Sequence, residues 1–117
     1  MRILSLAIAG FLAAPALADT PMYEVSDGTM LPGLGISADI AGDLDVFDTS
    51  GREIGEVEDV VGASMDVAEA LVVEFEDGVA DYGREDRVIP LAHFTFDGSA
   101  VVLDDEADVL SMPVWDD

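Results

Sequence analysis

The sequence has no cysteine and no lysine, and it contains a single histidine. Disulfides are therefore excluded, and a domain of this size must be held together by apolar burial alone. The common zinc sites are excluded as well, because they need several thiolate or imidazole ligands. The four cationic side chains, all arginines, stand against 26 acidic ones, so the formal net charge is −22 at pH 7. DNA, RNA and anionic lipid are poor partners for such a chain, because binding these polyanions depends on Lys and Arg.

The excess of acidic residues has two interpretations. It is typical of adaptation to a salty medium, where dissolved ions screen the repulsion between neighbouring carboxylates. It also suits a surface that binds Ca²⁺, a polyamine or a basic protein segment. Two groups of acidic residues offer oxygen ligands: Asp39, Asp43 and Asp45, and further along Asp104, Asp105, Glu106 and Asp108. Neither group has the spacing of an EF-hand loop, so we favour salt adaptation and keep weak divalent-cation binding as the alternative.

The longest apolar run lies in the first residues of the sequence. Arg2 precedes the apolar segment 3–14, and Ala16-Leu17-Ala18 provides an A-x-A cleavage pattern. This order predicts a secretory signal peptide over residues 1–18, because its apolar part is shorter than the roughly 20 residues that a membrane span needs. No cysteine follows it for attachment of a lipid. We therefore expect export to the periplasm or the medium, with no membrane span after removal of the signal peptide.

The next segment, 19–42, contains two prolines and four glycines among scattered apolar residues. This composition breaks any helical or strand period and predicts a linker or a loosely structured N-terminal arm. Some of its apolar residues, such as Leu31 and Ile36, are expected to lie against the domain or against a partner.

The remaining segment, 43–117, alternates short apolar stretches with turn signals such as Asp77-Gly78 and Asp97-Gly98. We expect a small all-β barrel of about six short strands. Gly55, inside the second strand, predicts a bulge, a bend or a close approach of the backbone, with Ile54 and Val57 facing inward on either side. A short C-terminal helix is expected to begin at Asp104 or Asp105 and to end before Pro113.

Three motifs between residues 44 and 115 follow one another in an order that resembles a known family. The first is an apolar strand, a glycine turn and the pattern I-G-x-V-x-D; the second is V-I-P-L; the third is V-V-L-D followed by V-L-x-M-P. Together they resemble the PRC-barrel family, named after the cytoplasmic domain of the photosynthetic reaction-centre H subunit, and the C-terminal barrel of the ribosome maturation factor. The residues of the structural motif are Gly51, Ile54, Gly55, Val57, Pro90, Asp104 and Pro113.

The resemblance implies a small PRC-type barrel that binds or scaffolds other proteins, often within larger assemblies. It implies no shared catalytic residues. The middle segment, 75–83, differs from the glycine-rich loop of many members, so no role of that loop is carried over to this chain.

The sequence offers little for catalysis. His93 is followed by Asp97 and Ser99, but neighbours in one hairpin rarely place a histidine between a nucleophile and an orienting acid, so a structural role is favoured. Carboxylate pairs are abundant, yet the interior of a small barrel is filled by side chains and leaves no cleft for a sugar. We expect no enzymatic activity and no cofactor.

Four residues are the candidate interface of the sequence: Tyr82, Arg84, Arg87 and Trp115. The aromatic residues serve equally well as core anchors, and the two arginines as local ion pairs with neighbouring acids. The hypothesis is an exported, non-enzymatic PRC-barrel-like module that binds or scaffolds another protein of the cell envelope. The alternative is an acidic envelope protein that binds Ca²⁺.

Overall fold

The computed structural model describes residues 21–79 and 82–116, so the predicted signal peptide, 1–18, lies outside the described residues. Within the described part the chain is mostly β, with seven strands and little helix. The strands are β1 (Tyr23–Glu24), β2 (Asp45–Phe47), β3 (Glu53–Gly62), β4 (Ala70–Phe75), β5 (Arg87–Pro90), β6 (Phe94–Phe96) and β7 (Val101–Leu103). The helical segments are α1 (Ala38–Ala41) and two 3₁₀ turns, Leu91–His93 and Val109–Ser111. No helix among the described residues has both the length and the apolar character needed to cross a membrane.

The strands form one sheet that curls into half of a barrel, in the order β5-β4-β3-β2-β7-β6. The β2–β7 pair is parallel, and the other neighbouring pairs are antiparallel. β1 also pairs with β3, beyond the part of β3 that pairs with β2, so that Tyr23 lies opposite Gly62. The prediction of a small, mostly β, barrel-like fold is confirmed at this level.

The central strand, β3, carries two irregularities in its pairing. Its register slips by one residue at Ile54 against β2 and at Glu58 against β4. In a regular strand, residues three positions apart would point to opposite faces of the sheet. Because each bulge inserts one extra residue, Ile54, Val57 and Val60 all reach the same core. The burial of Ile54 and Val57 confirms that both side chains face inward.

Gly55 lies at a point where the backbone of β4 leaves no room for a side chain on β3. A β-carbon at this position would overlap the carbonyl group of Glu74 on β4. Of the three roles that the sequence left open for this glycine, close approach is therefore present, and a bulge lies next to it at Ile54. Gly51 has a different role, because its φ of +91° makes the turn between β2 and β3.

The core is divided between the two faces of the sheet. Alternate residues of β4 point to opposite sides, so Leu71 and Val73 join the main cluster while Ala70 and Val72 join a smaller one. Both faces of β4 are buried, which explains its nearly continuous apolar sequence. Aliphatic side chains of this kind stabilise the fold by about 1.5–3 kcal/mol each when they are fully removed from water. No polar or charged residue within 21–79 and 82–116 is buried.

The prediction of a loosely structured arm is not confirmed, because the described part of it packs against the sheet. Leu31 is 1% exposed, and Ile36 and Ala41 are buried in the main core. The backbone N–H of Val25 donates to the carbonyl of Val60 on β3 at 3.0 Å. Ser37 caps the short helix α1, since its hydroxyl accepts from the N–H of Ile40.

The predicted C-terminal helix is wrong: the structure has only the 3₁₀ turn Val109–Ser111 in its place. Short helices depend on the burial of an apolar stripe. The expected stripe included Leu110, but this side chain is 57% exposed and Val109 is buried instead. Without that packing, the segment before Pro113 forms a single tight turn.

Candidate functional site

The candidate interface residue Arg87 holds the C-terminal tail. Its guanidinium Nη1 donates to the carbonyl of Met112 at 2.9 Å and to that of Leu110 at 3.3 Å. Its Nη2 lies 3.6 Å from the carboxylate of Glu85, and its side chain is 13% exposed. This arginine therefore anchors carbonyl groups at the end of the 3₁₀ turn, where they have no partner within the turn.

Trp115 and Pro113 lie in the segment that runs antiparallel to β5. The N–H of Val88 donates to the carbonyl of Pro113, and the N–H of Trp115 donates to the carbonyl of Asp86, both at 2.9 Å. The half-buried Trp115 also packs against the smaller core cluster. The tail thus pairs with the outer edge of β5.

The other two candidate interface residues precede β5. The ring of Tyr82 stacks on that of Phe75 with centroids 4.9 Å apart and planes within 7°. Arg84 is exposed and lines a hollow of about 330 Å³ together with Val79 and Gly83.

His93 contacts Asp104, a residue of the structural motif. Its Nδ1 lies 3.1 Å from each oxygen of the Asp104 carboxylate, and the N–H of Asp104 donates to the carbonyl of His93. Asp97 accepts from the N–H groups of Ser99 and Ala100, and these bonds lower the pKa of Asp97. The histidine and the serine are therefore each engaged with a different aspartate. His93 contacts Asp104 next to the paired ends of β6 and β7, and Ser99 contacts Asp97 in the turn between these two strands.

Carboxylates of β2, β3 and β4 form a row across the sheet. Asp45 lies opposite Glu56, and Glu56 lies opposite Glu74. Next to this row, a hydrogen bond with the carboxyl group of Glu76 raises the pKa of Glu53. Like charges at opposed positions destabilise a sheet, so this row opposes folding.

The two acidic groups singled out in the sequence are not arranged as metal sites. Asp39 and Asp43 line an acidic hollow of about 200 Å³ beside α1, whereas Asp45 belongs to the row on the sheet. Asp104 contacts His93 and accepts from the N–H of Glu106, while Asp105 accepts from the hydroxyl of Thr49. Across residues 21–79 and 82–116, no group of three or more His, Asp or Glu residues is placed to hold a metal ion.

A larger hollow, the arm cleft, lies between the arm and the β5–β6 connection. It has a volume of about 670 Å³. Apolar side chains supply most of its lining, and they include Pro32, Leu34, Ala68, Pro90, Leu91 and Phe94. Its volume falls within the usual range for ligand sites in proteins, about 300–1,000 Å³.

The arm cleft is built by local backbone contacts. The N–H groups of Leu34 and Gly35 both donate to the carbonyl of Leu31 at 3.2 Å, which closes a tight turn over residues 31–35. Because Leu31 is buried in the main core, this turn is fixed to the sheet. On the opposite side, the N–H of Leu91 donates to the carbonyl of Glu69 at 3.0 Å.

Exposed apolar side chains lie in the segments that continue from the cleft, and we call them the methionine rim: Tyr23, Met30, Met65 and Val67. Met30 lies two residues before Pro32, and Val67 precedes Ala68. No motif of the sequence indicates this site. The arm is too apolar for a solvated segment, but the 64–67 turn has no apolar period that connects it to the arm.

Comparison of the chain with protein-family models gives no match, and comparison with curated proteins gives none either. The resemblance to the PRC-barrel family therefore stays a prediction from the three motifs.

Proposed function

We propose that the chain is an exported, non-enzymatic PRC-barrel-like module that binds or supports another protein of the cell envelope. The observation that carries this proposal is the arm cleft with its methionine rim. Large exposed apolar surfaces on a small domain are typical of interaction sites, because leaving them in water is unfavourable. On this chain they stand out further, since 26 acidic residues give it a formal net charge of −22.

The arrangement of the titratable groups supports a binding role over an enzymatic one. His93 is paired with Asp104, and Asp97 is occupied by the N–H groups of its own turn. Asp48 is occupied in the same way by Ser50 and Arg52. A catalytic pair needs a nucleophile or a base directed at a place where substrate can sit, and these groups are directed at the backbone or at each other.

The curled sheet with its bulged central strand supports the PRC-barrel part of the proposal. Ile54, Gly55 and Val57 of the first motif lie together on β3, where the glycine permits close packing and the two aliphatic residues enter the core.

The experiment is recovery of the tagged full-length chain from envelope fractions of the cells that encode it, after brief cross-linking in the intact cells. We expect a partner that co-purifies at a fixed ratio and that forms the same complex when the two purified proteins are mixed. The mass of the recovered chain should correspond to cleavage after Ala18. Recovery of the chain from the cytoplasm, or from the envelope without any stoichiometric partner, would contradict the proposal.

A further inference from the structure

We infer that the arm cleft and the methionine rim dock a cationic amphipathic segment of the partner, with apolar side chains in the cleft and Lys or Arg at its borders. This inference rests on the proposed function and adds the surface and the chemistry of the partner. Three features support it: the backbone bonds that hold the rim in place, the exposure of its side chains, and the sign of the surrounding charge.

The rim is held in place before any partner arrives. The carbonyl of Met65 accepts from the N–H of Ser26 at 2.8 Å and from the hydroxyl of Thr29 at 3.0 Å. These bonds tie the arm to the turn between β3 and β4, while β1 pairs with the end of β3. A preorganised surface loses less conformational entropy on binding than a flexible one.

The exposure of the rim is large for apolar side chains. Met30 is 57% exposed and Met65 is 60% exposed, and Tyr23 and Val67 are also exposed. Methionine is unbranched and polarizable, so it adapts to the shape of an apolar partner and is common on surfaces that bind peptides. The adjoining cleft adds further apolar lining from Pro32, Leu34 and Leu91.

The negative charge around the cleft indicates that the docked segment carries positive charge. Glu69 lines the cleft, and Asp66 stands between Met65 and Val67 in the turn. None of the three arginines in the described part of the chain lines the cleft. Complementary charge favours cationic residues at the borders of the docked segment. A second copy of this chain is disfavoured as the occupant because it carries the same net charge of −22.

The probe is a synthetic peptide of about twelve residues with leucines on one face and lysines at both ends. Two control peptides have serine in place of the leucines or glutamate in place of the lysines. We expect saturable one-to-one binding of the first peptide to the full chain by fluorescence anisotropy, and no comparable binding of either control. Equal binding of the serine peptide would overturn the inference, since charge alone would then explain the attraction.

The location of the docking surface is tested by substituting side chains of similar exposure inside and outside it. Met30→Ser and Met65→Ser are each expected to weaken peptide binding roughly tenfold, because each removes an exposed apolar side chain that would contact the leucine face of the peptide. Leu110→Ser is the control: Leu110 is as exposed as Met30 but lies in the C-terminal 3₁₀ turn. An equal loss of binding in the Leu110→Ser variant would overturn the location.

A second experiment measures peptide binding to the unsubstituted chain by NMR. In ¹³C-methyl spectra of methionine in the full chain, the signals of Met30 and Met65 should shift during titration, whereas that of Met112 should not. A shift confined to Met112 would contradict the inference.

The two proposals fail differently. If the envelope complex forms but survives both Met30→Ser and Met65→Ser, the docking surface is wrong while the proposed function stands. If no envelope complex forms, the proposed function is wrong, whether or not the synthetic peptide binds to the chain.

Discussion

Single residues determine how closely the strands of this sheet approach. At Gly55 a hydrogen atom takes the place of a side chain, and the carbonyl of Glu74 occupies the space that a methyl group would need. The neighbouring atoms belong to the backbone of β4, which cannot move without breaking the β3–β4 pairing.

The variant Gly55→Ala is expected to lower the free energy of unfolding by about 2–3 kcal/mol, because the added methyl group overpacks the sheet. Urea unfolding followed by the fluorescence of the single tryptophan, Trp115, measures this change. Gly28→Ala is the matched control, since a β-carbon there would meet nothing within 4 Å. Equal effects of the two substitutions would show that close packing at Gly55 is unimportant.

Glu53 is expected to make the protein less stable as pH rises, which is the opposite of the usual effect of a carboxylate. The hydrogen bond with Glu76, followed by desolvation and nearby acids, raises the pKa of Glu53 above its ordinary value of 4.5. The folded protein then holds this proton more tightly than the unfolded chain does, so the contribution of Glu53 to stability falls as pH rises above about 4.5. Glu53→Gln is therefore expected to raise Tm at pH 7, with a gain that disappears below pH 4.5.

The control for this prediction is Asp48, a carboxylate whose pKa is lowered by its hydrogen bonds. The hydroxyl of Ser50 donates to Asp48, and with further bonds from backbone N–H groups it lowers the pKa of Asp48 below its ordinary value of 3.8. Its contribution is present above that pH and is lost as pH falls further. Asp48→Asn is therefore expected to lower Tm at pH 7. Thermal melts of Glu53→Gln and Asp48→Asn across pH measure both changes. A Tm change of the same sign in the two variants at pH 7 would contradict the opposite roles of these carboxylates.

At the scale of elements, the C-terminal tail and β5 form one unit. The tail covers the outer edge of β5 through two backbone hydrogen bonds, and Arg87 of that strand holds the carbonyls of Met112 and Leu110. This unit stabilises a strand that would otherwise present unpaired N–H and C=O groups to solvent.

The variant Arg87→Met keeps the aliphatic stem of the side chain and removes both hydrogen bonds to the tail. We expect a loss of about 1–3 kcal/mol in the free energy of unfolding, because the bonds are made by a charged and largely buried donor. The emission of Trp115 should shift to longer wavelength as the tail loosens. The exposed Arg84→Met is the control, and an equal change in that variant would argue against the role of Arg87.

Elements with local signals could be predicted from the sequence, and those that depend on distant contacts could not. Asp77-Gly78 and Asp97-Gly98 predict turns, and the glycines have the positive φ, +89° and +101°, that such turns use. The spacing of Ile54 and Val57 was correctly assigned to one core. The methionine rim could not be predicted because Met65 meets Ser26 and Thr29 only after the chain has folded. The predicted C-terminal helix does not form because Leu110, expected in its buried stripe, is exposed once the chain has folded.

On the scale of the whole molecule, net charge is the dominant feature. A formal charge of −22 on 117 residues produces self-repulsion that salt weakens. The Debye length is about 8 Å at physiological ionic strength, so opposed carboxylates such as Glu56 and Glu74 still repel each other there.

Stability is therefore expected to rise steadily with NaCl, and CaCl₂ at matched ionic strength should add nothing specific. Thermal melts of the full chain in the two salt series measure this, with MgCl₂ as a control for divalent charge. A Ca²⁺ effect that saturates at low concentration and that Mg²⁺ does not reproduce would restore the alternative of an ion-binding protein.

The pairing of the tail with β5 also determines what happens when the molecule is damaged. A protease that trims the chain behind Met112 removes Pro113 and Trp115, the two residues whose backbone groups pair with Val88 and Asp86. Such a cut would expose the edge of β5, which can then pair with the same edge of a second trimmed chain. Because this pairing covers both edges, loss of a few terminal residues would lead to a two-fold dimer while the rest of the fold is still intact.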